Sequence, residues 1–215
     1  MSQAEANFDL IAKPYRWLEY LTFGSALQKT RLHYLSELSH CRNALILGDG
    51  DGRFTAALFA ANPNITILAV DTSATMLQLL RQRCESTIPD STHRLHTEQT
   101  DAVTLSLADN YDLIVTHFFL DCLTQPELNS LAPRIAKHMQ PGALWLLSDF
   151  RIPANPAKLP ARILVRSLYL AFRILTNLRT TQLPDHNAPL QQSDLTRIAY
   201  HHCLSGILTT ELWRL

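Results

Sequence analysis

Charge is scarce in this 215-residue chain: Asp, Glu, Lys and Arg make up 18% of it, below the roughly 25% of an average soluble protein. The 19 basic residues balance the 19 acidic ones, so the formal net charge is zero. Such a chain has no overall electrostatic drive toward nucleic acid or an anionic membrane, and any basic surface must be local. Cysteine is equally sparse. Cys41, Cys84, Cys122 and Cys203 stand far apart with no CxxC pair and no Cys/His cluster at zinc-ligand spacing, so we expect a reduced, cytoplasmic protein without structural metal. No basic leader followed by an unbroken apolar stretch opens the sequence, and no run of about 18 apolar residues occurs in it, which supports neither secretion nor membrane spanning. There is no internal repeat and no low-complexity tract. The oligomeric state is left open.

What remains is an alternation of two periodicities. Before residue 40, Leu18 and Leu21, then Leu32, Leu35 and Leu38, fall at helical spacing and predict an N-terminal helical cap over 1–40. ALIL (44–47) and ITILAV (65–70) read as buried strands, FTAALFA and TMLQLLRQRC as helices. HRLHTE, YDLIVT (111–116) and ALWLLSDF (143–150) continue as strands, with a helix from Pro126 to His138 between the last two. Runs as apolar as LIV and LWLL belong to strands covered on both faces. The fold class is therefore α/β: a doubly wound, Rossmann-like, mostly parallel sheet whose core spans 41–150. Pro153, Pro156 and Pro160 then break the pattern. A helical insert is expected over 151–190, and residues 191–215 should complete the sheet with antiparallel strands.

Open sheets of this kind bind ligands at the carboxyl ends of their strands. Only 6 glycines occur in the chain, and Gly48, Gly50 and Gly52 fall together in LGDGDGRF directly after the first core strand. Glycine allows positive φ and close backbone approach, so a strand, glycine loop and helix in succession can hold a nucleotide-like group. The spacing is G-x-G-x-G, with Arg53 where the third glycine of a dinucleotide fingerprint would stand, and no Gly-Lys-Ser/Thr follows. Asp49 and Asp51 would repel a pyrophosphate and suit a ligand that carries a cation. Asp71 lies 19 residues beyond Gly52 at the tip of the second strand, where an acid can accept both ribose hydroxyls; Asp71, Thr72 or Ser73 could equally cap the next helix. Asp101, in QTDAV, is the acid after the third strand.

Taken in order, LILGDGDGRF, VDTSATML, QTDAV, YDLIVTHFFLDCL and PGALWLLSDF resemble the class I S-adenosylmethionine-dependent methyltransferases over essentially the whole chain. The resemblance implies S-adenosylmethionine as cofactor. Gly48, Asp49, Gly50 and Gly52 would then meet its amino acid end, with Asp51 beside them. Asp71 would meet its ribose and Met76 or Asp101 its adenine, with Thr72, Ala102, and Thr116 and His117 at the edge of the fourth strand, also in the cofactor site. The family often has an acid two residues before the first loop glycine, and here that position is Ile46; Asp49 or Asp51 would take its place. NFDLIAKPYRWLEYL and LLSDFRIP are similar to the opening and the segment after the fifth strand of ubiquinone and menaquinone C-methyltransferases. By that narrower resemblance Tyr15 would sit over the cofactor and Asp149 in the acid's place on the substrate side.

Methyl transfer from a sulfonium is an in-line displacement and requires few dedicated residues beyond positioning, with a base where the nucleophile carries a proton. His117 follows the fourth strand and Asp121 lies four residues on. On a helix the two would share a face, and the imidazole could serve as a base oriented by the carboxylate; the alternative is a packed histidine. The insert carries six basic residues from Arg151 to Arg179 and no acid, and Arg162, Arg166, Tyr169, Arg173 and Asn177 form one polar stripe on an otherwise apolar helix. It reads as a packed helix, as a lid over an apolar substrate, or as a peripheral membrane contact through 160–180. The expected acceptor is a small, largely apolar molecule such as a quinone, phenol or lipid-like compound, not nucleic acid. The rivals are a non-catalytic partner or lipid-binding subunit on the same fold and a nucleotide-dependent oxidoreductase.

Overall fold

The computed structural model describes residues 25–108, 110–153 and 182–215. Tyr15 and the arginine stripe of the insert lie outside the described residues. Helix α1 (Ala26–Leu32) and a 3-10 turn (Leu35–Leu38) lead into strand β1 (Asn43–Leu47). Then come α2 (Arg53–Ala61), β2 (Thr66–Asp71), α3 (Ala74–Thr87), β3 (Leu95–Gln99), β4 (Tyr111–His117), α4 (Gln125–Ala136) and β5 (Met139–Phe150). A short α5 (Asn187–Gln192) straddles the boundary expected between insert and C-terminal strands, and β6 (Thr196–Cys203) and β7 (Leu208–Arg214) close the chain.

The seven strands form one sheet in the order β3-β2-β1-β4-β5-β7-β6. β1 pairs in parallel with β2 and β4, β2 with β3 and β4 with β5, while β7 runs antiparallel between β5 and β6. The central strands are the most apolar, and their residues divide by alternation between two cores. Leu45, Leu47, Ile114, Trp145 and Leu147 face α4; Ala44, Ile46, Leu113, Val115 and Leu146 face α2 and α3. Helices on both faces explain why strands such as LIL and LWLL carry no polar partner residues. No helix among the described residues is long and apolar enough to cross a membrane.

Helix starts are fixed locally. Ser73 caps α3, its hydroxyl accepting from Met76 N–H at 3.1 Å. At α4 the Glu127 carboxylate reaches back to accept from Thr124 N–H at 2.7 Å, so the helix begins cleanly below the carboxyl end of β4. The chain order reverses between β1 and β4, and the loops after those strands open the crevice in which such sheets bind ligands.

Candidate active site

All three loop glycines adopt positive φ: 68° at Gly48, 62° at Gly50 and 78° at Gly52. They do different jobs. A Cβ on Gly48 would stand 2.7 Å from the Phe119 ring, and one on Gly52 would meet Leu80 of α3 at 2.7 Å, so both let neighbouring elements approach closely. A Cβ on Gly50 would meet nothing within 4 Å among the described residues. The open side of the loop is therefore at its centre, over the N-terminus of α2, where a bound group meets backbone and the positive helix end.

The two loop acids also separate. Asp51 is committed to the protein, its Oδ1 accepting from Arg53 Nε and its Oδ2 from Arg83 Nη2, each at 2.8 Å. Asp49 turns the other way. Its Oδ2 accepts from Thr55 N–H at 2.8 Å and from the Thr55 hydroxyl at 2.7 Å, which caps α2, while its Oδ1 is enclosed and has no hydrogen-bond partner among the described residues. Burial pushes the Asp49 carboxyl above the usual carboxylate range, against the pull of Thr55 and of the nearby Arg31 guanidinium. Arg31 is only 5% exposed and lies over the Phe118 ring, 5.0 Å from its centroid. Sequence reasoning missed it. Leu27 and Arg31 sit four apart on α1 with both buried, so a cation on the apolar helix face was the available signal.

Past β2, Asp71 Oδ1 accepts from Ser73 N–H at 2.9 Å. The capping role belongs to Ser73, not to Asp71 or Thr72, whose carbonyl accepts from Gln99. Met76 is buried on the first turn of α3. After β3, Asp101 Oδ1 accepts from Val103 N–H at 2.8 Å, an Asx turn, and Arg134 of α4 donates to the carbonyls of Ala102, Val103 and Leu105. The loop that would face an adenine is thus held by α4.

At the end of β4 the structure corrects two expectations. Thr116 is wholly buried, and its Oγ1 accepts from Trp145 Nε1 at 3.0 Å; alternation points it into the core rather than to the cleft. His117 does not pair with Asp121. Phe118 turns to φ 54° and only a 3-10 turn (Leu120–Cys122) follows, so no helical register carries His117 onto the face of Asp121. Its Nδ1 instead meets the Ser148 hydroxyl of β5 at 2.9 Å, its ring stands edge-on to Phe54 at 4.4 Å, and its Nε2 is buried without a partner among the described residues. Burial, then the Arg31 charge, drives its pKa well below the ordinary 6.5. It is a neutral ring.

Asp121 finds Asp149 instead. The two side chains, 7% and 2% exposed, are neighbours at the carboxyl edges of β4 and β5 and act on each other's ionisation. Burial raises both, Asp121 to about 6 and Asp149 further, with the Asp121 charge adding to the rise at Asp149. Neighbouring carboxyls in a dry site resist both being charged at once. Asp149 Oδ1 is buried with no hydrogen-bond partner among the described residues.

Residues 45–145 match the family model described as a methyltransferase domain. The chain is an S-adenosylmethionine-dependent methyltransferase. The methyltransferase is similar to the trans-aconitate 2-methyltransferase of Methylobacterium nodulans, at 26% identity over 201 residues that cover 87% of this chain and 73% of that one. Its fold matches the N-methyltransferase NodS of Bradyrhizobium japonicum in complex with S-adenosyl-L-homocysteine, with a TM-score of 0.64, 16% identity and coverage of 88% and 87% of the two chains. An O-methyltransferase family protein from Burkholderia thailandensis shares the fold at TM-score 0.71 and 16% identity, covering 99% of this methyltransferase and 65% of that chain. The residues present suit the cofactor. The space at Gly50, the enclosed Asp49 Oδ1 and the Arg31 cation offer room, an acceptor and a positive charge in one place.

Proposed function

We propose that the chain methylates a small, neutral, largely apolar acceptor that enters beside the carboxyl ends of β4 and β5. The observation that carries the cofactor half of this reading is the pairing of opposite charges at the glycine loop. An amino acid end is a zwitterion: Arg31 suits its carboxylate and the enclosed Asp49 Oδ1 suits its ammonium. Asp49 thereby replaces the acid that Ile46 does not supply, and Asp51, already held by two arginines, does not. Asp71 receives the ribose hydroxyls, and the turn at Asp101 and Ala102 with Met76 encloses the adenine.

When bound, the cofactor supplies an activated methyl group. The chain's own work is to orient it, to exclude water and to hold the acceptor in line, which suffices for much of the acceleration. Neutral His117, packed on Phe54 and bonded to Ser148, shapes the wall between cofactor and acceptor rather than moving a proton. The relative named for trans-aconitate points to an acceptor rich in carboxylates. Here two buried acids at the β4 and β5 edges would repel such a molecule, which supports a neutral quinol, phenol or lipid-like acceptor.

The test of the zwitterion pairing uses two ligands. Arg31→Gln should weaken S-adenosylhomocysteine by about ten- to a hundredfold, the equivalent of roughly 1.5–3 kcal/mol for charge-assisted hydrogen bonds. It should leave methylthioadenosine, which lacks the amino acid end, unchanged. Equal losses for both ligands would refute the assignment of Arg31.

A further inference from the structure

We propose that the methyl acceptor is held in a cavity at the carboxyl end of β5, and that Arg151 selects it by donating to a carbonyl or hydroxyl oxygen of a neutral ring compound. The inference rests on the methyltransferase reading above and names where its acceptor binds. The cavity, of about 470 Å³, is walled among the described residues by the exit of β5, by β7 and by α5. That volume suits a small molecule. Phe150, Ile152, Leu183 and Pro184 supply an apolar wall, and the charged groups balance, Arg151 and Arg197 against Asp185 and Glu211. Such a lining favours a neutral ligand over a polyanion.

The two arginines are not equivalent. Arg197 is already answered: its Nη1 lies 3.2 Å from Oε2 of buried Glu211, which also accepts from Trp213 Nε1 at 2.9 Å. Arg151 is exposed and has no acid partner among the described residues. Its backbone N–H donates to the Ile207 carbonyl at 2.7 Å, and its Nη1 donates to the Tyr200 hydroxyl at 2.6 Å, with the guanidinium 5.7 Å from the Tyr200 ring centroid. Backbone and side chain are both held in place. A guanidinium is a fork of donors, and among the described residues only Nη1 is engaged. The remaining donors sit on a residue that lines the cavity, within reach of a ligand whose ring rests on the apolar wall.

An aromatic pair joins this cavity to the cofactor site. The Phe150 ring stands 5.2 Å from that of Phe118, and Arg31, assigned above to the cofactor's carboxylate, lies 5.0 Å from the centroid of the same Phe118 ring. Phe118 holds φ 54°, a strained conformation for a non-glycine residue that persists where its surroundings enforce it. Here it sets one ring between the two sites. The cavity also opens at the carboxyl end of a strand, where sheets of this kind bind their ligands.

The experiment titrates the folded chain, saturated with S-adenosylhomocysteine, with 4-ethylphenol and with the hydrocarbon of the same shape, 4-ethyltoluene, following the ligands by NMR. The hydrocarbon leaves water more readily, so the readout is the change on substitution rather than the absolute preference. Arg151→Met, which keeps the backbone bond and much of the side-chain length, should weaken the phenol by about ten- to a hundredfold, as loss of a hydrogen bond to a charged donor requires. It should leave the hydrocarbon within about twofold. Ile152→Trp, on the apolar wall, should fill the cavity and weaken both probes about tenfold or more. Equal changes for both probes in Arg151→Met, no loss of the phenol there, binding of neither probe to the wild type, or full binding in Ile152→Trp would overturn the proposal. Tighter binding of 4-ethylbenzoate than of 4-ethylphenol would overturn the neutral acceptor on which it rests, and failure of S-adenosylhomocysteine to bind would overturn the cofactor site.

Discussion

Substituting alanine at two glycines of one loop separates folding from cofactor binding. Gly50 and Gly52 both have positive φ, at 62° and 78°, and an L-residue held there costs about 1–2 kcal/mol. At Gly50 that is the cost in the free protein, because a Cβ would meet nothing within 4 Å among the described residues. At Gly52 the Cβ would stand 2.8 Å from Leu80 Cα and 2.7 Å from its Cγ, and because backbone cannot swing aside, overpacking adds roughly 1–3 kcal/mol. Gly52→Ala should therefore lose about 2–5 kcal/mol, a large part of a typical total near 5–15, with Tm falling by about 2–4 °C for each kcal/mol. Gly50→Ala should lose about 1–2 kcal/mol and fold normally. Its added methyl stands where the cofactor lies, so affinity for S-adenosylhomocysteine should drop at least tenfold, or about 1.4 kcal/mol. Thermal unfolding and calorimetric titration of both variants measure the two quantities. A folded Gly50→Ala protein that binds the cofactor product like wild type would refute the orientation of the loop.

Three further outcomes follow from the same geometry. Asp49→Asn should weaken cofactor binding by about tenfold or more through loss of the ammonium's counter-charge, whereas Asp51→Asn, which breaks partly exposed pairs with Arg53 and Arg83, should change affinity little and stability by about 1 kcal/mol. Asp71→Ala should cost ten- to a hundredfold in the same titration, and unchanged affinity would remove it from the ribose site. The third is a pH effect. His117 is held neutral below its ordinary 6.5, so as pH falls below that value the unfolded chain takes a proton that the folded one refuses, and stability drops. His117→Gln should remove up to roughly 1.4 kcal/mol per pH unit of that decline in denaturant unfolding; identical pH slopes would mean that the ring is protonated in the fold.

The strands were legible because their burial is encoded in composition. ITILAV, YDLIVT and ALWLLSDF are strands at or near those bounds, and glycine density marked the loop whose three φ values are all positive. Periodicity failed where the chain leaves regular structure. The four-residue spacing from His117 to Asp121 assumed a helix, and one left-handed residue, Phe118, redirected both side chains. Alternation within LLSDF could have placed Ser148 with Leu146 on the α2 face and Asp149 on the other, but the partner of each depends on the neighbouring strand. Thr116 is similar: its bond to Trp145 requires the β4–β5 register. Arg31 was hidden by overall neutrality, since a lone cation among apolar residues looks like surface until the helix face that carries it is known to be buried.

Whether the loop after β1 holds S-adenosylmethionine is most directly decided by calorimetric titration of the purified chain with S-adenosylhomocysteine, with NAD as the control. The account predicts binding with a Kd on the order of micromolar, or about −8 kcal/mol, and none to NAD. No heat from S-adenosylhomocysteine in protein that unfolds cooperatively, or tighter binding of NAD, would contradict it.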